Sequence, residues 1–402
     1  MLNSLQEREL CYLVKVDDVL PMNADKLECA RIGGWNCVVG KSEFKPGDIG
    51  VYFEIDSKCP DVEPFASMDF LRSKKFAIKT QKIRGVASQG LLMPVSAFGM
   101  TIDGDVVYDG KRALRVDDES RFLTKRLGVT YAVSEDNARK AKANKNAKYD
   151  SMVARHPKIF KIKFFRKLMK HGWGRKLLYL FLGRKKKDDH GWPMWVRKTD
   201  EERIENCTFY LSQKDKKWVV TEKIDGTSTT FTMKKGRFGK KNLYVCSRNV
   251  CFETAEKPCY YEDNVYWEMA KKYDIYNVLS SLIDELEVDW VTIQGETYGA
   301  SVQKNDYDMK ARDFMAFNLV TPEGRVGTLK MHTILREYGV PCVPILDEAF
   351  ILPDTVEELR TYVHNEVSTV NHKMKEGIVC RSLDGAESFK CVDPEYLMKW
   401  HQ

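Results

Sequence analysis

The chain contains 402 residues, of which 43% are hydrophobic and 31% are charged, and its formal net charge is +7. This length and apolar content are sufficient for two ordinary domains with separate cores, and no run approaches the roughly eighteen apolar residues of a membrane helix. The N-terminus lacks the basic and then apolar pattern of a secretory signal. We therefore expect a soluble, intracellular, monomeric protein of the cytoplasm or the nucleus, without a membrane partner.

The cysteines are spread singly along the chain and form no CxxC pair. Their number, 11, is odd, and the nearest cluster is Cys246, Cys251 and Cys259. The spacing is not that of a zinc site, and a disulfide framework is not expected in a chain of this size. We expect reduced structural thiols.

Residues 1–100 read as a β-rich domain. Short β-rich runs at 10–16, 26–32, 35–39, 49–55, 76–84 and 88–94 are separated by turn residues such as Gly33-Gly34 and Pro46-Gly47-Asp48. This number of short strands suits an OB-fold β-barrel, and such barrels often bind nucleic acid on one face. Lys79, Lys82 and Arg84 lie on or beside one predicted hairpin, which predicts either an RNA contact or a merely solvated surface.

Residues 101–190 form a connecting region that we expect to be partly helical or flexible. Within it, residues 151–187 hold 13 Lys or Arg and no acidic residue, so the rest of the chain is net negative. A basic block on an acidic background indicates a surface for a polyanion. An RNA-binding clamp is the favoured interpretation, and a solvated linker, a membrane-surface helix and a nuclear import signal remain open.

Residues 191–402 alternate helical and strand patterns, which predicts an α+β domain with mainly antiparallel sheets. Thr199-Asp-Glu-Glu202 has the form of a capping box and predicts a helix start. Helices are predicted at 264–273, 276–286, 328–338 and 356–367, and strands at 218–222, 288–294, 314–320 and 377–381.

The segment most informative about chemistry is Thr221-Glu-Lys-Ile-Asp-Gly-Thr-Ser228, in which a lysine ends a β-rich run. A free lysine is a poor nucleophile because its pKa is about 10.4. Burial against apolar strands, or a neighbouring cation, would lower the pKa of Lys223 and free its lone pair. Gly226 would let the backbone approach a phosphate or a ribose closely. Taken alone, the four-residue pattern equally describes a strand end with an Asp-Gly turn.

Five further motifs follow in a fixed order, and together the six resemble those of the covalent nucleotidyltransferases, the superfamily of polynucleotide ligases and mRNA capping enzymes. The motifs in this chain are Lys223-Ile-Asp-Gly226, Cys246-Ser-Arg-Asn249, Gln294-Gly-Glu-Thr297, Asp313-Phe-Met-Ala-Phe-Asn318, Lys375-Glu-Gly-Ile-Val379 and Ser388-Phe-Lys-Cys391. In that superfamily the motifs line one nucleotide pocket.

The resemblance implies a role for each motif residue. Lys223 would attack the α-phosphorus of ATP and hold AMP, and Lys390 would neutralise the α-phosphate as pyrophosphate departs. Glu376, with Asp225 through water, would hold Mg²⁺ or Mn²⁺. The catalytic set is Lys223, Asp225, Glu296, Glu376 and Lys390. The nucleotide-binding set is Glu222, Lys223, Ile224, Gly226, Arg248, Glu296, Phe317 and Lys390, in which Glu296 would accept from the ribose and Phe317 would stack on adenine or act as a core aromatic. The RNA-binding set is Arg248, Asn249, Lys79, Lys82 and Arg84.

The sequence departs from the superfamily pattern in two places. Many relatives have a second lysine two positions after Lys390, where this chain has Val392, and Lys399 is a possible replacement. Some RNA ligases place Asn after the lysine motif, where this chain has Thr227-Ser228.

The order of the domains resembles one branch, the RNA ligases with an OB module ahead of the catalytic domain, often called the fifth RNA ligase family. Asn23-Ala-Asp-Lys-Leu27, Phe44-Lys-Pro-Gly-Asp48 and Arg84-Gly-Val-Ala-Ser-Gln-Gly-Leu91 look like that family's N-terminal module, and Lys198-Thr-Asp-Glu-Glu-Arg203 looks like its entry into the catalytic domain. The implied fold is α+β, an OB-fold followed by an ATP-grasp-like adenylyltransferase domain.

The implied activity is an ATP-dependent RNA ligase that joins 3′-hydroxyl and 5′-phosphate ends through a lysyl-AMP enzyme and an RNA-adenylate, in RNA repair. A capping-type guanylyltransferase and a DNA nick ligase are alternative enzymes. A catalytically silent RNA-binding protein is the alternative that is not an enzyme.

Overall fold

A computed structural model describes residues 1–4, 7–132, 165, 167–168, 171–174, 177–178, 192–248, 250–252, 264–305 and 307–400. The chain divides into two compact units, one of Met1–Tyr131 with Gly191–Gln402 and the other of Ala132–His190. In the second unit, the described positions 165, 167–168, 172–174 and 177–178 are helical. Most of the basic block, together with Asn249 and Cys259, lies outside the described residues. No described helix is long and apolar enough to cross a membrane.

The N-terminal part of the first unit consists mainly of short antiparallel strands. They are β1 (Cys11–Lys15), β2 (Asp18–Pro21), β3 (Leu27–Ile32), β4 (Trp35–Gly40), β5 (Ile49–Phe53), β6 (Ser57–Lys58), β7 (Gln81–Ile83), β8 (Val86–Ser88), β9 (Leu91–Pro94), β10 (Thr101–Asp103), β11 (Val106–Asp109), β12 (Arg112–Arg115) and β13 (Thr130–Tyr131), with helix α1 (Asp69–Ser73) between β6 and β7. The sheets are β1–β5–β9, β2–β3–β4, β7–β8, β6–β13 and β10–β11–β12.

The alternation of buried and partly exposed side chains along the strands shows where the N-terminal core lies. Trp35, Cys37 and Val39 of β4 are buried while the residues between them are partly exposed, as expected for a strand with one face on a core. Strand β5 is buried at every position because it lies between β1 and β9 with apolar clusters on both faces.

The strands just after residue 100 belong to the same N-terminal core. Val107 of β11 and Leu114 of β12 are fully buried and share a cluster with Leu13 and Phe53. The boundary at residue 100 therefore stays a prediction, and this packing favours a boundary nearer residue 131.

The C-terminal part confirms the expected α+β class, the four helices predicted after residue 263 and the four predicted strands. Its elements are β14 (Glu202–Arg203), β15 (Trp218–Lys223), β16 (Thr227–Lys235), β17 (Lys241–Cys246), β18 (Cys251–Phe252), α2 (Val265–Lys272), α3 (Ile275–Glu285), β19 (Trp290–Gly299), β20 (Arg312–Thr321), β21 (Gly324–Arg325), α4 (Thr328–Glu337), β22 (Ile345–Phe350), α5 (Val356–Asn365), β23 (Gly377–Ser382), β24 (Ser388–Val392) and α6 (Pro394–Trp400).

Two sheets carry these strands, and the site described below lies where the chain passes from one to the other. One sheet has the order β18–β17–β16–β19–β20–β21 and packs on α2, α3 and α4, and the other has the order β14–β24–β23–β15–β22 and packs on α5. Residues 224–226 connect β15 of the second sheet to β16 of the first. The segment 341–344 is hydrogen-bonded to both sheets, since Ala316 of β20 donates to Pro341 O and Glu222 of β15 donates to Pro344 O, at 2.8 and 2.9 Å.

The helix predicted at residue 199 is absent, and that prediction was wrong. A capping box is present instead at Thr355 and Glu358, where it begins α5. At the predicted position Glu202 and Arg203 form β14, which pairs in parallel with β24, and the hydroxyl of Thr199 instead bonds the hydroxyl of Ser228 at 3.0 Å. Pairing with a distant strand thus overrode the local cap signal.

The N-terminal strands are fixed to the C-terminal domain by buried polar contacts. The backbone N–H of Gly34 donates to Glu205 O at 2.9 Å, and an added Cβ at Gly34 would overlap the backbone of Glu205. The guanidinium of Arg360 on α5 donates to Glu205 Oε1, Gln89 Oε1 and Gly34 O at 2.7, 2.8 and 3.0 Å. These contacts hold both parts in one unit.

Candidate active site

Lys223 is the last residue of β15 and lies opposite Gly377, the first residue of β23. Glu376 immediately precedes that glycine, so its carboxylate reaches Lys223, with 2.7 Å between Nζ and Oε2. The Lys223 side chain is 26% exposed. The predicted nucleophile and the predicted metal-binding glutamate are therefore neighbours at an open position.

The pKa of Lys223 is raised, not lowered as the sequence suggested. Burial acts in the expected direction and lowers this pKa, but the negative charges of Glu376, Glu296 and Asp225 outweigh it. In this state the amine is held as an ammonium ion. A nucleophilic Lys223 therefore requires that something else neutralise the carboxylates.

Glu296 lies on β19 opposite Ser228 of β16. Both strands belong to the six-stranded sheet, whereas Lys223 ends a strand of the five-stranded sheet. Burial, with the negative charges of Glu376 and Asp225, raises the pKa of Glu296 to about 8, although Lys223 opposes this. The ammonium of Lys223 thus does not offset the combined effect of burial and of the two neighbouring carboxylates on Glu296.

This donor set fits a hard divalent cation. Carboxylate oxygens are the ligands that Mg²⁺ prefers, and Mg²⁺ usually takes one or two of them and completes its shell with water and phosphate oxygens. Within the described ranges no group of three or more potential ligands could hold a metal ion by itself. Glu376 and Asp225 thus suit a hydrated cation that shares its shell with a phosphate, and not a closed protein cage.

The loop that carries Asp225 is held from two sides. Tyr396 of α6 donates its hydroxyl hydrogen to Asp225 Oδ2 at 3.0 Å, and the backbone N–H of Asp225 donates to the hydroxyl of Tyr307 at 2.9 Å. A Cβ at Gly226 would overlap the carbonyl oxygen of Thr297 on β19. The glycine is thus required for close approach to a strand, a reason different from the predicted approach to a ligand.

Lys390 lies on β24 and is largely buried. Its Nζ is 3.0 Å from Asp200 Oδ1, and Asp200 Oδ2 accepts from Arg248 Nη2 at 2.8 Å. The structure therefore joins two cations of the predicted nucleotide-binding set through Asp200, which the sequence analysis did not select. Its only sequence signal was its place in the segment 198–203, the expected entry into the catalytic domain.

Arg203 is a second residue that the sequence analysis did not select. It pairs with Lys390 in the β14–β24 register and is 5% exposed. Within the described part of the chain its Nε and Nη1 atoms have no hydrogen-bond partner. Its Nη2 atom lies 3.9 Å from Asp56 Oδ2. Because buried donors without partners are costly, the remaining Nε and Nη1 donors indicate a place for an anionic group.

Apolar residues form one wall beside the lysine. Ile224 lies in a cluster with Tyr298, Tyr307 and Val343, and the partly buried ring of Phe317 packs against it. The guanidinium carbon of Arg381 lies 5.8 Å from the centre of the Phe317 ring. Phe317 is thus placed on the same side of β20 as the loop that follows Lys223, where a purine could lie against it.

Glu222 does not present its carboxylate to this wall. Ser368 Oγ and the N–H and hydroxyl of Thr369 donate to it at 2.5, 2.9 and 2.7 Å. Its side chain therefore fixes the segment 368–369.

Two positions bear on the second lysine that many relatives have after Lys390. Val392, which stands in its place, is buried, and Lys399, the possible replacement, is exposed.

The predicted RNA-binding residues of the N-terminal domain lie on the β7–β8 hairpin or just before it. Lys82 and Arg84 are exposed, and Lys79 is half-buried. The ammonium of Lys82 is 3.5 Å from Glu395 of α6, the residue before Tyr396. The hairpin thus lies at the edge of the domain where α6 contacts Asp225.

Among the described residues other than the 246–251 turn, the free cysteines are Cys11, Cys29, Cys37, Cys59, Cys207, Cys342, Cys380 and Cys391. Cys246 and Cys251 lie opposite each other on β17 and β18 and flank the turn that carries Arg248.

Two protein families and several solved structures are similar to the chain. The RNA ligase family matches residues 216–401, and an OB-fold domain family matches residues 5–95. No curated protein sequence matches the chain.

The similar solved structures include RNA ligase of Naegleria gruberi in several states. The complex with pyrophosphate is 24% identical, covers 98% of this chain and 99% of that chain, and has a TM-score of 0.70. A variant with ATP and manganese is 25% identical, with the same coverages and a TM-score of 0.70. A variant without ligand is 24% identical, again with 98% and 99% covered, and has a TM-score of 0.71.

The likeness to these structures extends over nearly the whole of both chains, and the two family matches fall on the two parts of the fold described above. Residues 216–401 are therefore similar to the RNA ligase family, and the chain as a whole has the fold of an RNA ligase with an N-terminal OB-fold domain.

Proposed function

We propose that this chain is an RNA ligase that is adenylylated by ATP on Lys223 and then joins RNA ends that carry a 3′-hydroxyl and a 5′-phosphate. The observation that carries the proposal is the placement of Lys223 at an open position, 2.7 Å from Glu376 and in the field of Glu296 and Asp225. The manganese and ATP complex of the Naegleria relative supports the choice of nucleotide and cation.

In the first step the amine of Lys223 attacks the α-phosphorus of ATP, a phosphorus–nitrogen bond forms, and pyrophosphate leaves with the electrons of the broken phosphoanhydride bond. Glu376 and Asp225 would hold a divalent cation whose charge supports this transfer. Once the charges of Glu376 and Asp225, which keep Lys223 protonated, are offset by this cation, the ammonium can release its proton to water before the attack. Lys390 and Arg203 place positive charge near the phosphates.

In the later steps the adenylyl group moves to the 5′-phosphate of an RNA end, and a 3′-hydroxyl then displaces AMP. Glu296 binds the ribose of the nucleotide, and Phe317 supports its base. Arg248 is 46% exposed at the rim of the site and contacts the incoming RNA end. The exposed Lys82 and Arg84 of the β7–β8 hairpin contact the RNA backbone. Sealing of such ends is the chemistry of RNA repair, which we propose as the role.

The experiment mixes the protein with α-labelled ATP or α-labelled GTP and a divalent cation. We expect label on the protein from ATP, and no label when Lys223 is replaced by alanine. Label from GTP alone would favour a guanylyltransferase, and no label from either would favour a silent RNA-binding protein. A nicked duplex with RNA or DNA on the 3′-hydroxyl side then tests the sugar preference, since an RNA ligase should require the RNA end and a DNA nick ligase should accept the DNA end.

A further inference from the structure

The segment 199–203, here called the strap, ends in β14, which pairs with β24 beside Lys390. Its first residue, Thr199, bonds Ser228, and Glu201 accepts from Arg325 and Arg381 at 3.1 and 3.3 Å. Arg203 at its end lies in the β14–β24 register. Asp200 is thus held between anchored neighbours, and its carboxylate has a fixed place.

The carboxylate of Asp200 uses one oxygen for each of two cations from different motifs. Lys390 is 3.0 Å from one oxygen and Arg248 is 2.8 Å from the other. In the described part of the chain neither cation has another salt-bridge partner. Without Asp200, nothing described would hold these two side chains toward each other.

The surroundings of Lys390 explain why a carboxylate is needed there. Burial lowers its pKa, and the cations Arg8, Arg203 and Lys223 lower it further. Asp200 is the main group that opposes them, and the carboxylate of Glu201 also interacts with Lys390. The carboxyl pKa of Asp200 is itself held below its ordinary value by Lys390, Arg8 and Arg248, despite burial. Asp200 therefore remains ionised and favours the charged form of Lys390.

Asp200 need not leave when a phosphate binds. An ammonium group has three donors and a guanidinium has five, so one bond to Asp200 leaves donors on both cations for substrate oxygens. The Lys390 side chain is 11% exposed and that of Arg248 is 46% exposed. The buried cation is thus the one that depends on Asp200 most.

We propose that Asp200 is a positioning residue that keeps Lys390 charged and aimed at the nucleotide and ties Arg248 to the same point. The proposal rests on the proposed adenylylation of Lys223. It assigns a task to the strap, and it predicts that transfer of AMP depends on a carboxylate that does not touch the reacting atoms.

The test compares the single-turnover rate of adenylylation from labelled ATP, over a range of pH, in the wild-type protein, Asp200→Asn and Asp200→Glu. The fall of the rate at high pH, here called the alkaline limb, reports loss of the proton of Lys390. Asp200→Asn removes a charge that favours the protonated form of Lys390, so its alkaline limb should move to lower pH by about one unit or more. The rate above this limb should fall about ten-fold or more. Asp200→Glu keeps the charge and should keep the wild-type limb, even if its rate is lower.

Glu202→Gln is the matched control, because Glu202 lies on the same strap and bonds Asn206 at 2.8 Å. It should leave the profile unchanged. A thermal melt of each variant separates loss of folding from loss of positioning. An unchanged limb in Asp200→Asn, or a limb that moves equally in Asp200→Glu, would overturn the proposal.

A further result that would overturn it is tighter inhibition of Asp200→Asn by pyrophosphate, because Asp200 would then compete with phosphate for its cations. Absence of label in the wild-type protein is a different failure, since it would reject the proposed function itself.

Discussion

The replacement Glu376→Gln is predicted to make Lys223 a better nucleophile toward a simple reagent and a worse one toward ATP. Glu376 forms a 2.7 Å ion pair with Lys223, and among the carboxylates its charge raises the pKa of that amine most. The raised pKa means that the neutral amine is scarce at neutral pH and appears only as the pH rises. Removing the charge should move this titration to lower pH.

The size of the effect follows from the geometry. An opposite charge within about 4–6 Å changes a pKa by about 1–3 units, and each unit changes the fraction of neutral amine about ten-fold below the pKa. Because the Lys223 side chain is 26% exposed, the lower end of this range applies. We therefore expect labelling of Lys223 by a small amine-reactive reagent to rise about ten-fold at pH 8.

Adenylylation of the same variant should fall about 100-fold, because the variant loses one ligand of the divalent cation that supports the transfer. The assay follows Lys223 by peptide mass spectrometry after brief exposure to the reagent without nucleotide, and in parallel after exposure to ATP with Mg²⁺. Glu348→Gln is the control, since Glu348 is exposed on β22. Unchanged or slower labelling in Glu376→Gln would refute this electrostatic account of Lys223.

Other replacements test the supports of the site. Arg360→Ala should lower the free energy of unfolding by about 3–5 kcal/mol in urea titrations, because it leaves the fully buried carboxylate of Glu205 without its cation. Tyr396→Phe should lower the adenylylation rate several-fold, with a higher Mg²⁺ requirement and little change in melting temperature, because it removes about 1 kcal/mol of hydrogen bonding to Asp225. Lys82→Ala should weaken RNA binding and reduce its salt dependence, while the rate of adenylylation by ATP stays unchanged, because Lys82 is exposed on the hairpin and contacts α6 only through its ion pair.

Local patterns predicted most of the regular elements because their causes are local. The apolar spacing at 276–286 and 356–367 corresponds to α3 and α5, whose buried residues face one core each. The hairpins β10–β11 and β11–β12 were missed, although Asp103-Gly104 and Asp109-Gly110 are hairpin turn signals and both glycines have φ near +59°.

The errors in the site have long-range causes. The strap reads as a cap signal, but its charges are bound by Lys390, Arg325 and Arg381, which follow more than 120 residues later. The predicted shift of the Lys223 pKa had the wrong sign, because the actual shift depends on carboxylates that come together only when the two sheets form. The order of the motifs therefore predicted which residues lie near Lys223, and the structure was needed to find the direction in which their charges shift its pKa.

The central claim is that Lys223 receives AMP from ATP. The most direct measurement is peptide mapping of the full chain after incubation with ATP and Mg²⁺, with Lys223→Arg as the control. The account predicts a single adenylylated peptide that contains residue 223, which disappears when pyrophosphate is added and never forms in the variant. AMP on any other residue, or equal labelling of the variant, would contradict it.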